Sequence, residues 1–260
     1  MGDIAGLYWE ERGPADGPPL ILSPGLGGSA AYWAPNIAAL AERHRVILYD
    51  HRGTGRSDRA LPPELDVDDM ADDVLALMDG IGLASASLVG HAAGGVIGLS
   101  LALREPARLT SLVVVNGFAA PDMHFLRCMA TRLDLLEHSG VLAFVRAQPL
   151  FLYPARWISE HIERVEADEA GHVAHFQGTA NVAARIGALA TFDITDRLGE
   201  IPTPTLLIAA GDDMLVPDLC SERLAQGLPH ARLERMRGGH ACNVTEPDTF
   251  NRHLLEFLGD

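Results

Sequence analysis

The sequence predicts an α/β fold, with a mostly parallel, doubly wound sheet and a helical cap inserted into it. Two observations carry this prediction. Short apolar segments alternate with helical segments along most of the chain, and the alternation is interrupted once, between residues 121 and 196. Apolar segments that end in turn residues are typical of parallel strands covered on both faces. Strand and helix in alternation favour an open, doubly wound sheet.

Six apolar segments are predicted as strands. They comprise residues 20–23, 45–50, 86–90, 112–116, 205–210 and 231–236. Helical patterns lie between them, for example at residues 67–78 and 94–104. In the first of these, Met70, Val74 and Leu77 recur at helical spacing, and aspartates cluster at its start, as expected for a helix N-terminus.

The interrupting stretch is helical in pattern and contains no convincing strand. It is neither rich in Gly and Ser nor a block of charge, so we interpret it as a cap and not as a linker. The sequence therefore predicts one α/β core of residues 1–120 and 197–260, and a helical cap of residues 121–196. A chain of 260 residues is long enough to bury a large core.

Charge and composition exclude several classes of partner. Twenty basic residues against 35 acidic residues give a net charge of −15, which disfavours binding to nucleic acids and to anionic membranes. Three cysteines without a CxxC pair disfavour a disulfide framework and a zinc–thiolate site. No signal-peptide pattern and no apolar run of about 18 residues is present, so we expect a soluble, cytoplasmic protein. A homodimer is the expectation from the frequency of symmetric oligomers.

The most informative segment is LVGHAAGG, at residues 88–95. A predicted strand enters a turn of small residues and continues into a predicted helix, as in the G-x-S-x-G nucleophile elbow. Ala92 stands at the position of the nucleophile, so the side chain that would attack a substrate is missing. Taken alone, the segment is equally consistent with a glycine-rich turn that has no catalytic role.

Two further motifs follow in the order expected for a catalytic acid and base. In GDDMLVP, at residues 211–217, Asp213 stands four residues before the proline and fits the acid position better than Asp212. In Gly238-Gly239-His240, the histidine follows the last predicted strand. An acid can orient a histidine that then transfers protons. Known enzymes with a nucleophile elbow carry their catalytic residues in the same chain order of elbow, acid and histidine. We therefore predict His240 and Asp213 as catalytic residues.

The loop after the first clear strand, SPGLGGS at residues 23–29, is predicted to supply backbone donors. The N–H groups of Leu26 and Ala93 are the candidates for an oxyanion hole, and they do not depend on the side chain at position 92. The glycine spacing does not match a phosphate-binding loop. No cofactor is expected. The cap histidines lack metal-ligand spacing, so no metal is expected either.

Together these motifs, with DHRGTGRS at residues 50–57, resemble the α/β-hydrolase superfamily over nearly the whole chain. A narrower resemblance is to the RutD family of aminoacrylate or carbamate hydrolases in pyrimidine degradation. It is carried by the segments GLGGS at 25–29, QPLFLYP at 148–154, AHFQG at 174–178 and GHACNVT at 239–245. That family carries alanine in the elbow, as G-H-A-x-G, which implies that Ala92 is native.

The resemblance implies a hydrolase of uracil catabolism, within nitrogen metabolism, that acts on a labile small C–N substrate. Aminoacrylate would give malonic semialdehyde and ammonia, and carbamate would give carbon dioxide and ammonia. Without a serine, His240 held by Asp213 would act on water or on the substrate itself. Two alternatives stay open: a serine esterase or amidase inactivated by Ser→Ala at position 92, and a non-catalytic protein of the same fold.

Either substrate is a small anion, so the site needs a cation or oriented donors. The candidates are four cap arginines and a histidine of the elbow. They are Arg127, Arg132, Arg156, Arg185 and His91. For each of them, a surface or structural role is the alternative.

Overall fold

The computed structural model describes residues 1–259, so Asp260, the last residue of the predicted core, lies outside it. Within residues 1–259 the strands are β1 (Gly2–Ile4), β2 (Leu7–Arg12), β3 (Pro19–Ser23), β4 (Arg45–Tyr49), β5 (Ala86–His91), β6 (Leu109–Val115), β7 (Thr205–Ala210) and β8 (Ala231–Met236). The α-helices are α1 (Ala34–Leu40), α2 (Val67–Gly80), α3 (Ala93–Arg104), α4 (Met123–Leu152), α5 (Ala155–Glu160), α6 (Ile162–Ala174), α7 (Thr179–Thr191), α8 (Leu219–Gly227), α9 (Cys242–Thr245) and α10 (Pro247–Leu258).

The strands form one sheet in the order β1-β2-β4-β3-β5-β6-β7-β8. Neighbouring strands from β4 to β8 run parallel, and apolar clusters lie on both faces of the sheet. All six predicted strands are present, which confirms the mostly parallel, doubly wound sheet. The carboxyl ends of β3, β5, β6 and β7 therefore meet at one edge, where the loops that follow them come together.

The sequence did not predict the antiparallel hairpin of β1 and β2 at the edge of the sheet. Most residues of β2 are only half-buried, because no strand covers its outer side except the three-residue β1. A half-buried edge strand of charged and aromatic residues lacks the continuous apolar pattern by which the other strands were found.

Local sequence explains where the two predicted helices begin. The side chain of Asp66 accepts a hydrogen bond from the N–H of Asp69, and the Asp69 side chain accepts one from the N–H of Asp66. This reciprocal pair caps α2. Helix α3 begins directly after Ala92, and its small first residues let it lie close to the sheet.

Helices α4 to α7, which we call the helical insertion, lie between β6 and β7. Helix α4 is broken at Gly140, whose φ of 82° is left-handed, and it packs against both α6 and α7. No helix within residues 1–259 is both long and apolar enough to cross a lipid bilayer.

Candidate active site

The turn between β5 and α3 has the strained backbone of an elbow. Ala92 has φ 47° and ψ −109°, a conformation that non-glycine residues rarely adopt. A Cβ atom at Gly90 would lie 2.2 Å from the Gly94 carbonyl oxygen, and one at Gly94 would lie 2.2 Å from that of Ser23. The small residues on either side of Ala92 are therefore required by the close approach of β3, β5 and α3.

Asp213 and His240 form a buried pair. The distance from Asp213 Oδ2 to His240 Nδ1 is 2.7 Å, and their side chains are 0% and 2% exposed. The other oxygen, Oδ1, accepts hydrogen bonds from the N–H groups of Leu215 (2.7 Å) and Val216 (3.0 Å). A carboxylate can only accept, so Nδ1 of His240 carries a proton, and Nε2 is the ring nitrogen left to exchange a proton with a substrate or water.

The neighbouring Asp212 binds backbone N–H groups and not the imidazole. Its Oδ1 accepts hydrogen bonds from the N–H groups of Gly238 and Gly239, both at 3.0 Å. Asp212 therefore shapes the loop that carries His240, while Asp213 contacts the imidazole. The structure thus gives the two adjacent aspartates different partners, and Asp213 is the one in contact with His240.

The backbone of His240 is also fixed, by two residues from neighbouring strands. Its carbonyl oxygen accepts a hydrogen bond from Asn116 Nδ2 and another from His91 Nε2, both at 2.8 Å. Asn116 has φ 50°, which asparagine tolerates, and its Oδ1 accepts the Ala210 N–H at 2.9 Å. Sequence analysis did not select Asn116, although a polar residue at the end of a buried strand was a signal for it.

His91 was predicted to bind substrate; in the structure it contacts the loop of His240, and its Nδ1 has no hydrogen-bond partner among residues 1–259. Its ring is 3% exposed, stacks on Tyr32 at 4.7 Å and meets the His240 ring edge-on at 4.7 Å. Burial holds the pKa of His91 well below its usual range, so the ring is neutral. A neutral, enclosed imidazole that donates to the His240 carbonyl is a positioning residue.

The two predicted oxyanion donors are free. Within residues 1–259, the N–H groups of Leu26 and Ala93 donate to no protein acceptor. Leu26 is half-buried in a turn closed by the hydrogen bond from Gly28 N to Gly25 O, at 2.9 Å. Its carbonyl oxygen accepts a hydrogen bond from Arg185 Nη1 at 2.6 Å, which ties this loop to α7 of the helical insertion.

The four candidate arginines differ in their exposure and in their hydrogen-bond partners. Arg127 is exposed on α4, and Arg156 is exposed and pairs with Glu160 at 2.7 Å. Arg185 is fully buried, but its Nη atoms are used by protein acceptors, including His51 Nδ1 at 2.6 Å. The predictions of substrate binding by Arg127, Arg156 and Arg185 are therefore corrected. Arg132 is buried, 4% exposed, and has no such partners.

The three cysteines are free thiols, all of them buried. In the described part of the chain, no group of three or more His, Cys, Asp or Glu side chains is arranged to hold a metal ion.

Comparison with known proteins agrees with this geometry. Residues 18–138 match the family described as the α/β hydrolase fold. Two relatives, provisionally named carbamate hydrolase RutD, come from Caulobacter segnis and Variovorax paradoxus. The first is 54% identical, over 99% of this chain and 98% of its own length; the second is 55% identical, over 97% and 96%.

Solved structures extend the comparison. A hydrolase from Pseudomonas aeruginosa is 28% identical with a TM-score of 0.88, covering 98% of this chain and 94% of that one. The enol-lactonase from Burkholderia xenovorans is 25% identical with a TM-score of 0.90, covering 99% and 98%. The elbow, the acid–histidine pair and these similarities over the whole chain give one conclusion. The chain belongs to the RutD family within the α/β-hydrolase superfamily.

Proposed function

We propose that this protein hydrolyses a labile small C–N substrate, carbamate or aminoacrylate, in pyrimidine degradation, and that it does so without a covalent enzyme intermediate. The observation that carries the proposal is the buried Asp213–His240 pair beside an elbow whose side chain, Ala92, cannot attack. The names of the RutD relatives support carbamate as a substrate. Aminoacrylate is the second candidate, because the same groups fit its chemistry.

His240 Nε2 performs the proton transfers in this mechanism. With aminoacrylate, His240 in its imidazolium form gives its Nε2 proton to the carbon next to the carboxylate, which leaves an iminium ion, and the neutral ring then takes a proton from the attacking water. The same proton passes to the nitrogen of the carbinolamine, the C–N bond breaks, ammonia leaves, and the hydroxyl returns a proton to His240 as malonic semialdehyde forms. With carbamate, the imidazolium protonates the nitrogen, the C–N bond breaks, carbon dioxide and ammonia leave, and His240 regains a proton from water. Asp213 stabilises the imidazolium at each stage.

We assign the stabilisation of negative charge on a substrate oxygen to the N–H groups of Leu26 and Ala93, which donate to no protein acceptor within residues 1–259. In serine hydrolases stripped of a catalytic-triad member, an oxyanion hole and binding alone retain a rate acceleration of about 10³- to 10⁴-fold over water. That corresponds to about 4 to 5.5 kcal/mol of barrier lowering. An acceleration of this size is useful only for a substrate that already decomposes readily, and both candidates do.

The test is ammonia release from freshly generated carbamate and, separately, from freshly generated aminoacrylate. We expect the protein to exceed the uncatalysed rate with at least one of them, and His240→Ala to abolish the excess. His138→Ala is the matched control, because His138 pairs with Asp134 at 3.2 Å on the exposed surface of α4. Rates equal to background with both substrates, or equal rates for wild type and His240→Ala, would overturn the proposal.

A further inference from the structure

Arg132 is a buried cation without an anion. Its side chain extends from α4, and only 4% of the residue is exposed. Its nearest polar contact is the Met129 sulfur, 3.7 Å from Nη1, and its Nε has no hydrogen-bond partner. No carboxylate within residues 1–259 lies within 4.0 Å of the guanidinium.

Arg185 shows what a structural arginine looks like in the same protein. It is also fully buried without a carboxylate, but its Nη atoms donate to Leu26 O at 2.6 Å and to Gln177 Oε1 at 3.0 Å. Its Nη2 contacts His51 Nδ1 at 2.6 Å, and only its Nε, like that of Arg132, has no hydrogen-bond partner. Among the residues that the structure describes, Arg132 has no oxygen or nitrogen acceptor of this kind, and its single hydrogen-bond contact is the weak acceptor Met129 sulfur.

An unpaired buried charge is costly for a folded protein, and proteins normally pair it or neutralise it. Burial lowers the pKa of Arg132 to about 10, so the guanidinium is still a cation at neutral pH. The rings of Phe144 and Phe151, 5.1 and 5.7 Å from its central carbon, compensate part of this cost by cation–π contact. They supply no hydrogen-bond acceptor.

Helix α4 connects Arg132 to the catalytic loops. Four residues before it, on the same helix face, the Cys128 sulfur lies 3.7 Å from the carbonyl oxygen of Met214, next to Asp213. At the other end of α4, the Leu152 carbonyl accepts the N–H of Ala241, next to His240, at 3.0 Å. Both ends of α4 therefore contact the loops that hold the acid and the histidine, and Arg132 follows the first of these contacts by one helical turn.

We propose that Arg132 binds the carboxylate group of the substrate and thereby selects anionic substrates over neutral ones. The inference rests on the proposed function and identifies the residue that selects its substrate class. The protein as a whole carries a charge of −15, which repels anions at long range. A local cation enclosed by aromatic rings overcomes this repulsion, because its attraction is not screened by solvent.

Binding of unreactive analogues tests the inference without turnover. Acetate replaces the amino group of carbamate by a methyl group, and crotonate does the same for aminoacrylate. Acetamide and crotonamide are their neutral counterparts. By isothermal titration calorimetry we expect wild type to bind each anion more tightly than its amide, and Arg132→Met to weaken anion binding about 10- to 100-fold, the loss typical of a charge-assisted hydrogen-bonded contact.

Arg127→Met is the matched control, since it removes the same charge from the exposed face of the same helix. It should bind the anions as wild type does. Equal affinity of wild type for anion and amide would overturn the inference without any variant, and so would undiminished anion binding by Arg132→Met.

The urea unfolding of Arg132→Met distinguishes a role of Arg132 in substrate binding from a structural role. Replacing an unpaired buried charge by an apolar side chain is often neutral or stabilising, so Arg132→Met should unfold at an equal or higher urea concentration than wild type. Clear destabilisation with unchanged preference for anions would assign Arg132 to the core instead. His240→Ala should keep the anion preference. If wild type prefers the anions but releases no ammonia above background, only the proposed function fails. If ammonia release depends on His240 but Arg132→Met keeps the anion preference, only this inference fails.

Discussion

The Asp213–His240 pair in the loops at the carboxyl edge of the sheet and Arg132 in the helical insertion differ in how their hydrogen bonds are satisfied. Asp213 and the His240 carbonyl have hydrogen-bond partners from neighbouring strands and turns. Arg132 is buried, and its Nε has no hydrogen-bond partner in the described chain. Saturated groups hold a fixed geometry, whereas an unsatisfied one is available to a ligand. This difference supports our proposals that the sheet edge carries the chemistry and that Arg132 of the insertion binds the substrate.

The largest effect is expected from restoring a nucleophile at the sheet edge. If these loops hold a complete hydrolase geometry, Ala92→Ser should hydrolyse nitrophenyl acetate at least about 100-fold faster than wild type, since the base, the acid and the oxyanion donors are in place. A burst of about one equivalent of nitrophenol per protein should precede the steady state. The double variant with His240→Ala should lose both. Absence of a burst in Ala92→Ser would show that the loops do not present position 92 to a substrate.

Replacing a glycine by alanine should change the free energy of unfolding in opposite directions in these two regions. A Cβ at Gly94 would lie 2.2 Å from a backbone oxygen, so Gly94→Ala should lower the free energy of unfolding by about 3 kcal/mol. Gly187, inside α7, has no atom within 4 Å of such a Cβ, and Gly187→Ala should raise it by about 0.5 to 1 kcal/mol. Urea unfolding measures both. Similar effects of the two variants would contradict the difference in packing.

The buried histidines at the sheet edge make stability depend on pH. Burial lowers the pKa values of His51 and His91 well below their usual range, and the charge of Arg185 adds to this for His51. The unfolded chain therefore binds more protons below about pH 6.5, and stability falls as the pH drops through that value.

Each histidine should contribute up to about 1.4 kcal/mol per pH unit below that point and nothing above it. Urea unfolding between about pH 7.5 and about pH 5 measures the slope, and His51→Gln should reduce it. A stability that does not change over this range would mean that neither imidazole is kept neutral by the fold.

Motifs near strand ends were predictable because they depend on local geometry. Ala92 and Asp213 follow the buried strands β5 and β7, His240 follows the half-buried strand β8, and the parallel sheet brings such ends together. The hairpin of β1 and β2 was missed because an edge strand carries no continuous apolar pattern. Asn116 and Arg185 make their contacts 94 to 159 residues away in sequence, which no local pattern encodes.

By itself, the sequence determined the α/β fold, the helical interruption and the order of elbow, acid and histidine, because apolar periodicity and small turn residues are local properties. Only the tertiary structure showed which of the four cap arginines, all of equal charge, is buried without a carbonyl, carboxylate or imidazole acceptor from residues 1–259. Burial and the presence of acceptors depend on which surfaces α4 and α7 bring against the sheet edge. Arg185 meets carbonyl and imidazole acceptors there, whereas Arg132 meets aromatic rings and keeps its charge unpaired.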